Sequence, residues 1–213
     1  MVHAERKRAL SGNLRKRTPG PRRLDTSHFE LLFEIGFQAL VAGYPRAAIA
    51  DFAASWERFQ EFIFWIVSGR NQVAIDQINS AWKDVAAQSE RQRGLFVGSY
   101  LSARGEVPPT LPRNMVELRN DVVHKGRLAS TEQALQYGGA VVDAMKPIMS
   151  WVLAEHGSIY DDYDFRAQQK VFASLAPGER PTSWFLPLLL REIIEQDTTD
   201  LVGAYRRAEA AKH

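Results

Sequence analysis

Ile49, Phe52, Trp56, Phe59, Ile63 and Ile66 recur at steps of three and four residues, the spacing that aligns side chains along one face of an α-helix. Within the same segment the run FIFWIV, residues 62–67, places apolar side chains on every other face as well. A helix that is apolar all round has to be covered on several sides, so it is the centre of whatever this chain builds. Pro45 suits its first turn and Gly69 its end. The cover is expected to be further helices packed antiparallel across short connections, an all-α bundle.

The flanking sequence supplies those helices. Asp25, Thr26 and Ser27 offer N-cap oxygens ahead of Phe29, Leu32, Phe33, Phe37 and Leu40, with Gly43 as a stop. Ile75, Ile78, Trp82 and Val85 mark a third helix, and a shorter apolar piece runs from Leu95 to Leu101. The stretch RGEVPPTLP, residues 104–112, is a loop from which Pro112 opens a helix carrying RNDVVHKG, residues 119–126, and ending at Gly126. Ser130 and Gln133 form a capping-box pattern before a helix toward Trp151, in which Gly138 and Gly139 permit close packing and Pro147 should kink or break the rise. Beyond Gly157 come the acidic run YDDYDF, a helical piece near residues 166–175, a turn at 177–181 and one amphipathic segment over 183–211. No segment alternates convincingly as a strand. The organisation expected is a disordered basic arm over 1–24, a bundle over 25–157 and a helical extension over 158–213 packed on it.

Charge is unevenly spread. Residues 1–24 hold eight Lys or Arg against Glu5 alone, a net +7, which leaves −5 for the remainder of a chain whose formal charge is +2. Arg15, Lys16 and Arg17 in that arm could add phosphate contacts without sequence preference, or the arm could be a solvated tail. The absence of cysteine excludes disulfides, thiolate metal sites and cysteine nucleophiles, and suits a reducing compartment. No apolar run approaches the roughly 18–20 residues that span a bilayer, and no apolar stretch of a secretory leader follows the basic start, so a cytoplasmic protein without membrane contact is expected. His3, His28, His156 and His213 lack ligand spacing, and there is no GxGxxG, GxxxxGK or GxSxG pattern, so neither a metal nor another cofactor is expected. Trp56, Trp65 and Trp82 read as core, whereas Trp184, Phe185, Leu188, Leu189, Ile193 and Ile194 read as core or as cover for a partner chain. The run 160–164 reads as a solvated helix start or loop, or as an acidic docking patch.

The motif RNDVVHKG carries the chemistry. On a helical wheel Arg119 falls among Met115, Leu118, Val122 and Val123, inside the apolar stripe, while Asn120 and His124 are neighbours on the other side. Arg119 and His124 diverge by about 140° on that wheel, so a helix end or a second chain would have to bring them together. A guanidinium in an apolar stripe stays charged and needs an anion, either Glu57 or Glu61 of the central helix or a phosphate held by its planar fork. A titratable histidine beside an obligate cation is a workable kit for cleaving RNA: His124 to move a proton at the 2′-hydroxyl or the leaving 5′-oxygen, Arg119 to stabilise charge on the phosphate. Lys125 and Arg113, at the two ends of the same helix, would add phosphate contacts.

ELRNDVVHKG, in an all-α chain whose earlier helices read ALVAGYPRAAIADFAASWERF, resembles the HEPN (higher eukaryotes and prokaryotes nucleotide-binding) domains over roughly residues 28–155. The hallmark of that family is Arg, usually a polar residue next, and four to six intervening positions before His; Arg119, Asn120 and His124 meet it with four between. The resemblance implies a helical bundle that usually forms a homodimer with Arg and His of both protomers in one composite cleft. Catalytic members are metal-independent endoribonucleases, many of them toxins or defence effectors against phage and plasmids. Arg119 and His124 would then catalyse, with Asn120 orienting phosphate or histidine, and an antitoxin or defence protein would be a natural partner. One branch carries a tyrosine two places after the histidine as a site of AMP attachment; this chain has Gly126 there. Other members are inactive, so the alternative reading is a non-catalytic helical module that binds RNA or protein, with Arg119 saturated by an acid and His124 remote from any cleft.

Overall fold

The computed structural model describes residues 27–173, 188–196 and 200–212, with the side chains of Asp161, Asp162, 164–173 and 195–196 outside the description. The described residues are all-helical: α1 (His28–Val41), α2 (Pro45–Arg70), α3 (Ile75–Val85), α4 (Ser89–Arg104), α5 (Arg113–His124), α6 (Thr131–Ala173), α7 (Leu189–Gln196) and α8 (Leu201–Ala210). The basic arm, with Arg15, Lys16 and Arg17, lies outside them. No described helix is long and apolar enough to cross a membrane.

α2 is the central element, packed against α1, α3, α4, α5 and α6. Phe52, Phe59, Phe62, Ile63 and Ile66 are fully buried on it, and Phe64 joins Ile78 and Trp82 in a separate small cluster with α3. The apolar run 62–67 is thus shared between two clusters on opposite sides of one helix. Aromatic rings make much of the contact: Phe29 sits 5.2 Å from Phe59 and 5.1 Å from Phe62, and Trp56 meets Phe96 edge-on at 5.8 Å.

The local signals behave as their chemistry requires. The Glu30 carboxylate accepts from the Ser27 backbone N–H at 3.3 Å and so caps α1. Ser130 and Gln133 exchange hydrogen bonds of 3.0 and 3.1 Å at the start of α6. Gly126, at φ +71°, turns the chain so that the N–H groups of Lys125 and Arg127 both reach the Asp121 carbonyl at 3.1 Å.

Four expectations are corrected. α4 is a full helix of 16 residues rather than a short piece around Leu95–Leu101. Pro147 does not break α6. It is exposed, as is Asp143 four residues earlier, whose carbonyl loses its amide partner toward water, while buried Met145, Ile148 and Val152 hold the inner face. The non-helical residue is His156, at φ −134°, after which the helix continues to Ala173, so YDDYDF is helical, with Tyr160 and Tyr163 edge-on to Phe62 at 5.8 and 5.1 Å. Within 183–211 the described residues form two helices, with Asp200 capping the second through Gly203 N–H at 2.5 Å. Leu188, Leu189 and Ile193 are buried and Ile194 packs on the core, while Trp184 and Phe185 lie outside the described residues.

The two glycines of α6 differ. A Cβ on Gly138 would come within 2.9 Å of the Phe52 ring and 2.6 Å of Leu201, whereas one on Gly139 would meet none of the described residues within 4 Å. Gly36 of α1 faces the same ring from the other side at 2.8 Å. Gly138→Ala should therefore lower stability by about 1–3 kcal/mol through overpacking, and Gly139→Ala should not; equal denaturation midpoints for the two variants would refute the close approach.

His156 is 6% exposed, with its ring edge-on to Trp151 at 4.7 Å, and among the described residues neither its Nε2 nor the Trp151 Nε1 has a hydrogen-bond partner. Burial, reinforced by the charge of Arg70 and opposed by Glu155, holds the His156 pKa below its usual value. The folded state thus favours the neutral ring. The stability this contributes is whole above about pH 6.5, the unfolded value, and is lost as pH falls toward the lower folded value. The wild type should lose more of its melting temperature between pH 7.5 and 5 than His156→Phe does, and parallel profiles would count against this account.

Candidate phosphate-handling site

α5 is anchored on α2 by buried Leu118 and Val122. These two set the true centre of its apolar face. Val116 is exposed and Val123 half-buried, so Arg119 occupies the margin of the stripe rather than its middle. From there its side chain, 21% exposed, lies against α2, and Nη2 donates to Glu57 Oε1 at 2.9 Å. Glu61, the other acid considered, pairs with Arg58 instead.

The second guanidinium nitrogen faces the helix end. Nη1 donates to Asn120 Oδ1 at 3.1 Å and lies 3.0 Å from His124 Nε2. Of the two ways to close the gap left by the wheel, a helix end or a second chain, the helix end brings Arg119 and His124 into contact within one protomer. The wheel measured Cα directions, but Cβ bonds tilt toward the helix N terminus, which carries a ring at the last residue back over the preceding turn, and the long arginine stem spans the rest. A guanidinium only donates, so this contact is a hydrogen bond in the tautomer that carries its ring proton on Nδ1. Arg119 thereby joins three side chains: an acid across the helix interface, the amide beside it and the imidazole at the helix end.

Arg119 and Asn120 also line an open cleft of about 130 Å³ between α2, α4, α5 and α6, walled by Trp56, Leu111 and Val116 and edged by Glu57, Glu90, Arg93, Gln60 and Tyr137. His124 is exposed and stands outside this lining, at the far end of the Arg119 side chain. Burial raises the Tyr137 pKa well above its ordinary value; the charge of Arg119 opposes the shift and that of Glu57 adds to it. Tyr137, Gln60 and Arg93 were not singled out from sequence, because each looks like an ordinary interior or surface residue until the helices are packed.

The expected auxiliary cations at the two ends of α5 are each held in an ion pair. Arg113 is paired with Glu117 at 2.9 Å and Lys125 with Asp121 at 2.8 Å, each within its own helix end and exposed. Arg127 also reaches Asp121 at 3.4 Å. Lys125 leads these contacts in holding the Asp121 carboxyl below its usual pKa. Lys125 and Arg127 follow His124 in the chain, while Arg113 lies at the opposite end of α5. Among the described residues no three His, Asp or Glu side chains gather as a metal site would require.

No family model, no curated protein and no solved structure matches this chain.

The Glu57–Arg119 contact should be energetically coupled. Both groups are less than one-third exposed, so a double-mutant cycle of Glu57→Ala and Arg119→Ala should return about 1 kcal/mol of interaction energy. Strictly additive effects would mean that the pair does not form in solution.

Proposed function

We propose that this chain is a metal-independent endoribonuclease of HEPN type, acting as a toxin or defence effector in the cytoplasm. The observation that carries the reading is the 3.0 Å approach of Arg119 Nη1 to His124 Nε2, with Asn120 on the same nitrogen. In this reading a phosphate oxygen draws Nη1 away and frees the Nε2 lone pair. His124 then takes the proton of the 2′-hydroxyl, the 2′-oxygen attacks phosphorus, and the bond to the 5′-oxygen breaks. The products are a 2′,3′-cyclic phosphate and a 5′-hydroxyl, the latter protonated by water or by a second histidine where two protomers share the cleft. Arg119 stabilises the extra charge on the pentacoordinate phosphate, while Glu57 holds the other guanidinium nitrogen and keeps the fork in place. Homodimerisation and a restraining antitoxin or defence partner complete the proposal.

The Glu57 ion pair favours a second reading, in which Arg119 is structural and the chain is a non-catalytic RNA- or protein-binding module. Incubation of the purified protein with labelled RNA in EDTA separates the two. The nuclease reading expects cleavage that falls about 10²–10⁴-fold in His124→Ala and about 10²–10³-fold in Arg119→Ala. RNA bound but uncut, or cut equally by His124→Ala, would sink the catalytic reading and leave the binding module.

A further inference from the structure

Two side chains in the cleft beside Arg119 pack among the helices while their polar atoms are left unused by the fold. Gln60 on α2 is 4% exposed and Tyr137 on α6 is 2% exposed, yet neither forms a side-chain hydrogen bond among the described residues. Leaving buried amides and hydroxyls unsatisfied is costly, so such groups call for an explanation. They are not sealed in. Among the described residues, the fully enclosed side-chain nitrogens and oxygens without partners are those of Trp151 and His156 alone, so the Gln60 amide and the Tyr137 hydroxyl stay within reach of solvent in the cleft they line.

The remaining walls narrow the occupant. Trp56 contributes an aromatic surface and Leu111 and Val116 apolar ones, while Arg93 lines the cleft with no ion-pair partner among the described residues. An amide offers a donor and an acceptor side by side, which matches the edge of a nucleobase, and aromatic or apolar walls suit its faces. The volume of about 130 Å³ is close to the roughly 150 Å³ cavity that accepts one benzene ring, so the space matches a single six-membered ring. Arg119 borders this space on one side and meets His124 on the other, so a base seated here has its own phosphate at the guanidinium.

We infer that the cleft is a pyrimidine subsite for single-stranded RNA, in which Gln60 and Tyr137 read the base edge of the nucleotide whose phosphate Arg119 holds. The inference rests on the nuclease reading for its orientation and on the two unpartnered side chains for its chemistry. It gives the site a base preference that Arg119 and His124 alone would not confer.

The test is calorimetric titration of the intact protein with uridine, cytidine and adenosine 3′-monophosphates, with inorganic phosphate and with a short oligouridylate. Both pyrimidine nucleotides should bind about tenfold more tightly than the adenosine nucleotide or phosphate, and oligouridylate more tightly still. Gln60→Leu and Tyr137→Phe should each cost about 3–10-fold for the pyrimidine nucleotides, the loss of one neutral hydrogen bond, while phosphate binding and the thermal melt stay unchanged. Tyr137→Phe removes one oxygen only and carries the test if Gln60→Leu does not fold. Equal binding of pyrimidine and adenosine nucleotides, or a preference that survives both variants, overturns the inference. Oligouridylate binding no more tightly than the mononucleotide overturns its assignment to RNA. The outcome is separable from catalysis: a pyrimidine preference without RNA cleavage removes the nuclease and keeps the subsite, whereas cleavage of polyuridylate and polyadenylate at one rate without a binding preference does the reverse.

Discussion

Everything in this molecule is arranged around the need to bury α2. Its apolar residues lie on more than one face, so no single neighbour suffices, and five other helices pack against it. That requirement places α5 and α6 beside the same stretch of α2, and so brings Arg119 and Tyr137 to Glu57 and Gln60. The polar residues of α2 that line the cleft stand where its cover is incomplete. Burial drives the fold, and the polar site occupies what burial leaves over.

Within the site the decisive group is a charge that burial cannot remove. A guanidinium at the edge of an apolar face stays protonated, so the surrounding side chains must supply acceptors in fixed directions. Glu57 takes one nitrogen, and Asn120 and His124 take the other. The consequence is that the histidine at a frayable helix end is tied to the interior of the bundle through one side chain. A structural ion pair and the contact proposed to act on RNA are two ends of one residue.

The helices could be read from sequence wherever periodicity and punctuation agree. α1, α2, α3 and α5 follow their apolar steps, with Pro45 and Pro112 at the starts and Gly43 and Gly126 at the turns. The reading failed where a residue's effect depends on which side of the helix faces water: Pro147 does not break the helix on the solvent face, and the interruption comes at His156, beside the Gly157 that bounds the segment in sequence. The same limit applies to the site. Arg119, Asn120 and His124 stand close in sequence and were legible as a motif, although the wheel misjudged how far side chains reach. Gln60 and Tyr137 lie far apart in the chain, and only packing makes them neighbours of Arg119.

The Phe52 ring lies between Gly36 and Gly138, with no room for a methyl group on either side. A flat wedge in two such notches does more than fill volume: it opposes sliding of α1 along α2 in either direction, where Ile35 or Phe37 would meet the ring, and of α6 in the direction that would bring Tyr137 onto it. Gly138 immediately follows Tyr137. The depth at which that hydroxyl stands in the cleft is therefore set by a dry contact one residue away, and the shape of the polar cleft is inherited from the core rather than from its own hydrogen bonds.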